Sequence, residues 1–285
     1  MNIDLRLGQP GDAEPCGVIC YDAFGAIADQ HNFPHDFPSR EFAVGLVSYL
    51  LSHRDVYAVV AETEGRVIGS NFLHEGGAIA GVGPITVDPR VQNTAVGRQL
   101  MQDVIRRSQA RQSAGVRLVQ AAYHNRSLAL YTKLGFATRE PLSVMQGPRI
   151  VNAVSDLDVR PASAGDLESC NQLCLEVHGH HRGGEVADAI AQGTATVVER
   201  DGRLTGYATM IGFMGHAVSE DNNGMKALIA ATPEYAGPGF LLPTRNADLL
   251  RWALDNGLRI VQPLTLMTMG LYSEPAGAFL PSILF

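Results

Sequence analysis

The sequence predicts an α+β fold, built as two mixed β-sheet domains in tandem, each running β-αα-βββ-α-β-α-ββ. Three observations lead there. First, the chain repeats itself. RLGQPGDAEPCGVICYDAFG, from Arg6, and RPASAGDLESCNQLCLEVHG, from Arg160, share seven of twenty residues without a gap, at a constant offset of 154. Second, the later correspondences keep their order: VVAETEGR (from Val59) with VVERDGR (from Val197), and NRSLALYTKLG (from Asn125) with NADLLRWALDNG (from Asn246). Third, apolar residues alternate between period two and period 3.6 along each copy, the signatures of strand and helix. A supersecondary pattern repeated at this length reads as a duplicated domain. The expected domains are 1–147 and 156–285, joined in QGPRIVNAVSD.

In the first copy, residues 3–7 alternate as a strand, and Gly11-Asp12 opens a helix to about Ala28. The prolines of HNFPHDFPSR make a loop, after which Ser39 is placed to N-cap a second helix through about Leu51. Strands follow at 57–62 and 67–73, a hairpin with Gly in its turn. A third strand spans 79–87, a helix about 97–111, and an aliphatic strand 116–121. The next helix runs about 125–134, with Gly135 closing it in the left-handed conformation. Short strands at 136–139 and 143–146 complete the copy. The second copy has the same elements with shorter connections. It ends in a long strand, a Pro/Gly turn and an apolar tail that packs back.

Composition bounds the function. Hydrophobic residues are 46% and charged residues 18%, ordinary for a folded protein. The formal net charge of −7 argues against nucleic acid and anionic membrane, which need a basic face. No apolar stretch approaches the roughly 20 residues of a membrane span. The start, MNIDLRLGQPGD, does not read as a signal peptide. Cys16/Cys20 and Cys170/Cys174 have helical spacing rather than zinc-site spacing, so they are expected to be reduced, half-buried helix residues in a cytoplasmic protein without metal.

The stretch VDPRVQNTAVGRQLMQDVI, from Val87, leaves the third strand and enters a helix through Gln92-Asn93-Thr94-Ala95-Val96-Gly97-Arg98, a segment with no acid. Amides at a helix start lack internal partners, and the dipole adds about half a positive charge, so such a mouth binds phosphate. Gly97 lets backbone approach a ligand closely, and Arg98 adds a formal charge. Gly83-Pro84 interrupts the strand, since proline cannot donate to a ladder. A bulge there splays it from strand 116–121, leaving backbone groups at Ile85 to Val87 for a ligand's amides.

These residues resemble the GNAT superfamily of acyl-CoA-dependent N-acyltransferases. Val87-Asp88-Pro89 followed by Gln92 to Gly97 is similar to its motif A, departing at Ala95, where the family usually has Gly. AAYHNRSLALYTKLGFA, from Ala121, resembles its motif B. Together they cover about 57–140. The resemblance implies acetyl-CoA as co-substrate, held by Ile85, Val87, Gln92, Asn93, Thr94, Ala95, Val96, Gly97, Arg98 and Asn125. It also implies direct attack of an amine on the thioester, with Tyr131 protonating the thiolate. The acceptor is then expected to be a small-molecule or peptide amine, and the protein a monomer with an internal pseudo-dimer, or a homodimer. A non-catalytic acyl-CoA sensor is the alternative. A lysine-like amine must lose its proton first, at about 4 to 5 kcal/mol at pH 7. The general base is open: Asp22, Glu62 and Glu75 could line the slot, while His31, His35, His74 and His124 receive no role.

The second copy carries Glu220-Asp221-Asn222-Asn223-Gly224 before a helix at 225–231. Carboxylates there satisfy the dipole and repel a diphosphate. Trp252 stands where Tyr131 does, and an indole is not a usable acid. This copy is therefore expected to be degenerate, with a structural or acceptor-pocket role. His178, His180 and His181 in VHGHHRGGE could bind metal or acceptor, and Phe285 offers a terminal carboxylate.

Overall fold

A computed structural model of the chain describes residues 2–92, 94–151 and 157–284. Asn93, Phe285 and positions 152–156 of the expected join lie outside the described residues. The chain forms two compact units. One comprises residues through Ala137 together with Met267–Leu271 and Leu284; the other comprises Thr138–Leu266 and Tyr272–Ile283. The closing strand of each repeat is thus divided between the units.

The first unit contains β1 (Asp4–Leu7), α1 (Ala13–His31), α2 (Arg40–Ser52), β2 (Val56–Thr63), β3 (Arg66–His74), β4 (Ile79–Val82) and β5 (Thr86–Val87). Then come α3 (Val96–Ala110), β6 (Gly115–Ala121) and α4 (Asn125–Lys133). Its sheet runs β1-β2-β3-β4-β6, with β5 on β3. One face is covered by α1 and α2, through Cys16, Cys20, Ala43, Val47 and Leu50 against Val60 and Phe72. The other carries α3 and α4, through Val96, Leu100, Met101, Val104 and Tyr131 against Ile68, Ala80, Val116 and Leu118. Helix α2 starts where its cap predicts, Ser39 accepting the Phe42 N–H at 3.2 Å.

The second unit contains most of β7 (Ala137–Gln146), then β8 (Asp158–Pro161), α5 (Leu167–His178), α6 (Gly183–Gln192), β9 (Thr196–Arg200), β10 (Arg203–Ala208) and β11 (Ala217–Ser219). It continues with α7 (Asn222–Ala231), β12 (Phe240–Pro243), α8 (Ala247–Asp255), most of β13 (Arg259–Gly270), and β14 (Ala278–Leu280). One sheet runs β14-β11-β10-β9-β8, and β7 lies between β13 and β12.

The duplication recurs at atomic level. Arg6 grips both Asp12 oxygens at 2.8 Å and Glu62 at 2.8 Å; Arg160 grips Asp166 at 2.7 and 2.9 Å and Glu199 at 3.1 Å. Each aspartate also accepts a backbone N–H, from Gln9 or Ser163, closing the turn that begins the next helix. Both hairpins turn on two residues with positive φ, Glu64-Gly65 at 51° and 73° and Asp201-Gly202 at 52° and 74°. That geometry matches the right-handed twist of the flanking strands.

Two expectations are corrected. Residues 137–146 form one strand rather than two short ones, because Pro141 needs no N–H for the ladder: its carbonyl accepts the Thr244 N–H at 2.8 Å, and β12 pairs onward from Pro243↔Leu142 to Phe240↔Met145. All four cysteines are fully buried rather than half-buried, and free. Burial pushes the Cys16 thiol up to about 11 and Cys170 up to about 12.

Candidate functional site

The strand expected at 79–87 is in two pieces. β4 pairs parallel with β6 only from Ile79↔Gly115 to Gly81↔Arg117. At Gly83, with φ of 143° and a cis bond to Pro84, the chain shifts onto β3. Gly83 N–H donates to Phe72 O, and Asp88 N–H to Ile68 O, each at 2.9 Å. In between, Thr86 pairs with Ser70 and Val87 with Gly69. Alternation in an antiparallel ladder then sends the backbone groups of Thr86 and Asp88 to β3, and those of Ile85 and Val87 away from it. Past Arg117, β6 continues through Leu118–Ala121 without pairing to β5. The two strands splay.

At the foot of this splay lies the mouth of α3. Ala95 is its N-cap, in the left-handed region with φ of 67° and no side-chain cap bond, and the first turn has no acid. The first helical bond is Gln99 N–H to Ala95 O, at 3.0 Å. The preceding N–H groups, of Val96, Gly97 and Arg98, therefore have no partner within the helix. Thr94 does not cap them, since its hydroxyl donates back to Val91 O at 2.5 Å. Arg98 is exposed, and no carboxylate pairs with it among the described residues. Gln92 accepts from Arg126 of α4 at 2.9 Å, tying loop to helix. Asp88 is buried and held by Arg66 and Arg90, so it anchors the loop rather than facing a ligand.

The sequence motif places the demand for glycine at Gly97. The residue with positive φ is Ala95 instead. Gly97 sits within the helix, and a Cβ on it would lie 3.7 Å from Val87 and 3.9 Å from Leu130, ordinary contacts. What its missing side chain leaves is space between β5 and α4.

Tyr131 projects from α4 into the core, only 6% exposed, edge-on to Phe136 at 6.3 Å. Burial pushes its phenol up to about 12, partly opposed by a hydrogen bond with Ser127. Ser127 Oγ lies 2.7 Å from His124 Nδ1. His124, not Asn125, is the N-cap of α4; Asn125 is the first helical residue and is exposed. Burial, with Arg126 and His31 nearby, lowers His124 to about 4, so the imidazole is neutral at pH 7. Its Nε2 is buried without a partner among the described residues. So are both polar atoms of Gln120, on the part of β6 that runs on past its pairing with β4. Neither residue nor Ser127 was singled out from the sequence. Gln120 carried a signal, the third member of the apolar face of Val116 and Leu118; His124 and Ser127 carried none beyond proximity to Tyr131.

The three carboxylates considered as bases are engaged. Asp22 pairs with Arg40 at 3.1 Å, Glu62 with Arg6 at 2.8 Å, and Glu75 with Arg107 at 2.7 Å and Arg111 at 3.4 Å. Among the described residues, no three His, Cys, Asp or Glu side chains gather as a metal site, and no helix is long and apolar enough to cross a membrane.

In the second unit the equivalent helix mouth is closed. Asp221 caps α7, accepting from Gly224 N–H at 2.9 Å and pairing with Arg200 at 3.0 Å, while Glu220 pairs with Arg203. Trp252 is partly buried against the core. His178 and His180 are buried with their rings 5.9 Å apart, His178 also packing on Phe279; His181 is exposed. Nearby, Glu185 meets His216 Nδ1 at 3.3 Å, and His216 Nε2 meets the Tyr207 hydroxyl at 3.1 Å. Arg182 pairs with Glu185 at 2.5 Å.

Residues 54–138 match the model of the acetyltransferase (GNAT) domain. No curated protein matches the chain in sequence. Among solved structures, the chain is similar to a protein from Pyrococcus horikoshii described as an acetyltransferase, at 16% identity and a TM-score of 0.73, over 99% of this chain and 92% of that one. It is also similar to a GCN5-related N-acetyltransferase from Sphaerobacter thermophilus, at 13% identity and a TM-score of 0.61, over 95% and 96%. A tandem GNAT protein from the clavulanic acid biosynthesis pathway matches at 13% identity and a TM-score of 0.57, over 94% and 98%. At such identities these likenesses speak to the fold.

Proposed function

We propose that this chain is an N-acetyltransferase of the GNAT superfamily: residues 54–138 match the acetyltransferase (GNAT) domain, and tandem or GCN5-related acetyltransferase folds are similar along nearly its whole length. It moves the acetyl group of acetyl-CoA to a small-molecule or peptide amine by direct attack. The observation that carries this reading is the uncapped mouth of α3, set at the foot of the splay between β5 and β6. The residues fit the co-substrate. Amides of Val96, Gly97 and Arg98 point outward for a diphosphate, with Arg98 adding charge, and no acid stands in the first turn to repel it. Ile85 and Val87 offer outward backbone groups to the amides of a pantetheine arm, and one such N–H serves as donor to the developing oxyanion. Gln120 presents an amide that has no partner among the described residues. When bound, acetyl-CoA supplies an activated acyl carbon and a thiolate leaving group.

Tyr131 is the proton donor to that thiolate. A phenol at about 12 facing a thiolate near 8.5 is uphill by roughly 5 kcal/mol, so transfer must be coupled to C–S cleavage rather than precede it. The second copy, its helix mouth capped by Asp221, binds no CoA and has a structural role.

The test is thiol release from acetyl-CoA against a panel of polyamines, amino acids, aminoglycosides and peptides, comparing the wild type with Tyr131→Phe, and with calorimetry of CoA binding alongside. Turnover that falls in Tyr131→Phe while CoA still binds supports the reading. CoA binding without turnover on any acceptor makes the protein an acyl-CoA sensor instead. No CoA binding removes both.

A further inference from the structure

We propose that His124 and Ser127 form, with Tyr131, a proton wire that carries the proton lost by the acceptor amine to the departing thiolate, making His124 the general base. The proposal rests on the acetyltransferase reading and fills the place left by Asp22, Glu62 and Glu75, each tied to an arginine.

The three residues lie on one face of α4 and its N-cap, at positions i, i+3 and i+7. Ser127 Oγ is 2.7 Å from His124 Nδ1 and is hydrogen-bonded to the Tyr131 hydroxyl. A serine hydroxyl has a single proton. In the wire so proposed, Ser127 donates to the phenol oxygen of Tyr131, a bond that favours ionisation of the phenol. Its proton being committed there, Ser127 Oγ accepts from His124 Nδ1–H. The tautomer follows: Nε2 carries a bare lone pair, and that atom is the one buried without a partner. An unmatched buried acceptor is unfavourable in a resting protein, and a substrate N–H brought to it would satisfy it.

The surroundings match that role. Arg126 and His31 are the charged or titratable groups that bear on the imidazole, and both oppose its protonation, as does burial. His124 therefore passes a proton on instead of storing it. The preceding residue, Tyr123, stacks on Phe33 at 4.2 Å and packs on His31 at 5.3 Å, centroid to centroid.

The step balances. As the C–N bond forms and the C–S bond breaks, the nitrogen gives its proton to His124 Nε2. The Nδ1 proton moves to Ser127 Oγ, the Ser127 proton to Tyr131, and the Tyr131 proton to sulfur. One proton leaves the amine, one reaches the thiol, and all three side chains return to their starting states. The wire also answers the mismatch between Tyr131 and the thiolate, because the phenol is reprotonated as it donates.

The experiment uses the full chain, acetyl-CoA and the amine from the panel above that gives the highest rate. CoA binding by calorimetry is expected to stay within about twofold of wild type in Ser127→Ala and His124→Gln, while kcat falls by about 10²-fold. Ser127→Thr, which keeps the hydroxyl, restores most of the rate. In mixtures of light and heavy water, the wild-type rate curves with deuterium fraction, as expected for several protons in flight, and the Ser127→Ala rate is linear. Should His124→Gln fail to fold, the Ser127→Ala and Ser127→Thr pair decides. If Tyr131→Phe is inactive while Ser127→Ala and His124→Gln keep full kcat, the wire is wrong and the acetyltransferase reading stands. If the wild type acetylates nothing in the panel, both are overturned.

Discussion

Asp221 accepts the backbone N–H of Gly224 across 2.9 Å, closing the helix mouth that in the first copy Ala95 leaves open. One site per chain follows: calorimetry with CoA is expected to give a stoichiometry near one. Asp221→Ala should cost about 1 kcal/mol of stability through the lost cap while leaving that stoichiometry unchanged, as read by denaturant midpoint and binding heat. Two equivalent sites would contradict it.

Ala95 and Gly97 should respond in opposite ways. Ala95→Gly keeps the left-handed conformation and relieves its steric cost to an L side chain, about 1–2 kcal/mol, less the greater freedom of unfolded glycine. A small gain in melting temperature is expected, with CoA binding unchanged or tighter. Gly97→Ala adds a methyl in ordinary contact with Val87 and Leu130, so the fold accepts it. Helix propensity raises stability by up to about 1 kcal/mol, and the methyl fills the slot. CoA affinity is expected to drop at least about tenfold, equivalent to roughly 1.4 kcal/mol. Unaltered affinity in Gly97→Ala would mean that the ligand does not pass there.

Gln120 holds two buried polar atoms without partners among the described residues, a liability of about 1–3 kcal/mol in the ligand-free protein. Gln120→Leu is expected to raise the melting temperature without ligand and to weaken CoA binding. A variant that is less stable and binds equally well would show the amide to be structural.

Acid should weaken the second unit through His216, which is only 2% exposed and lowered to about 4 by burial and Arg182 against the pull of Glu185. Its folded pKa lies below the ordinary 6.5. As pH falls from about 6.5 to about 4, the unfolded chain therefore binds a proton that the folded one refuses, and stability declines across that window. Urea midpoints against pH should slope less in His216→Gln than in wild type; identical slopes would exclude His216 as the source.

Much of this was legible in local sequence. The duplication, the helix starts at Ser39 and near Gly97, and the two-residue hairpin turns are set by residues within a turn or two of one another. Motif resemblance led to Tyr131 for the same reason, as did Asp221 to the closed second mouth. The register of β5 was only half legible: Gly83-Pro84 announced a break, but β3's claim on Thr86 and Asp88 depends on a strand more than ten residues away. Continuity of β7 through Pro141 likewise depends on Thr244, a hundred positions on.

Spacing and turn chemistry, which act along the chain, determined by themselves that this protein is a tandem α+β duplication with an uncapped, acid-free helix mouth in its first half. Only tertiary structure decided which ionisable groups are available. Glu62 and Glu75 look free in sequence and are neutralised by Arg6 and Arg107, brought in from distant elements. His124 looked incidental and is half-buried, its Nε2 buried without a partner among the described residues. A side chain's charge and proton affinity are set by burial and by neighbours in space, which a linear order of residues does not specify.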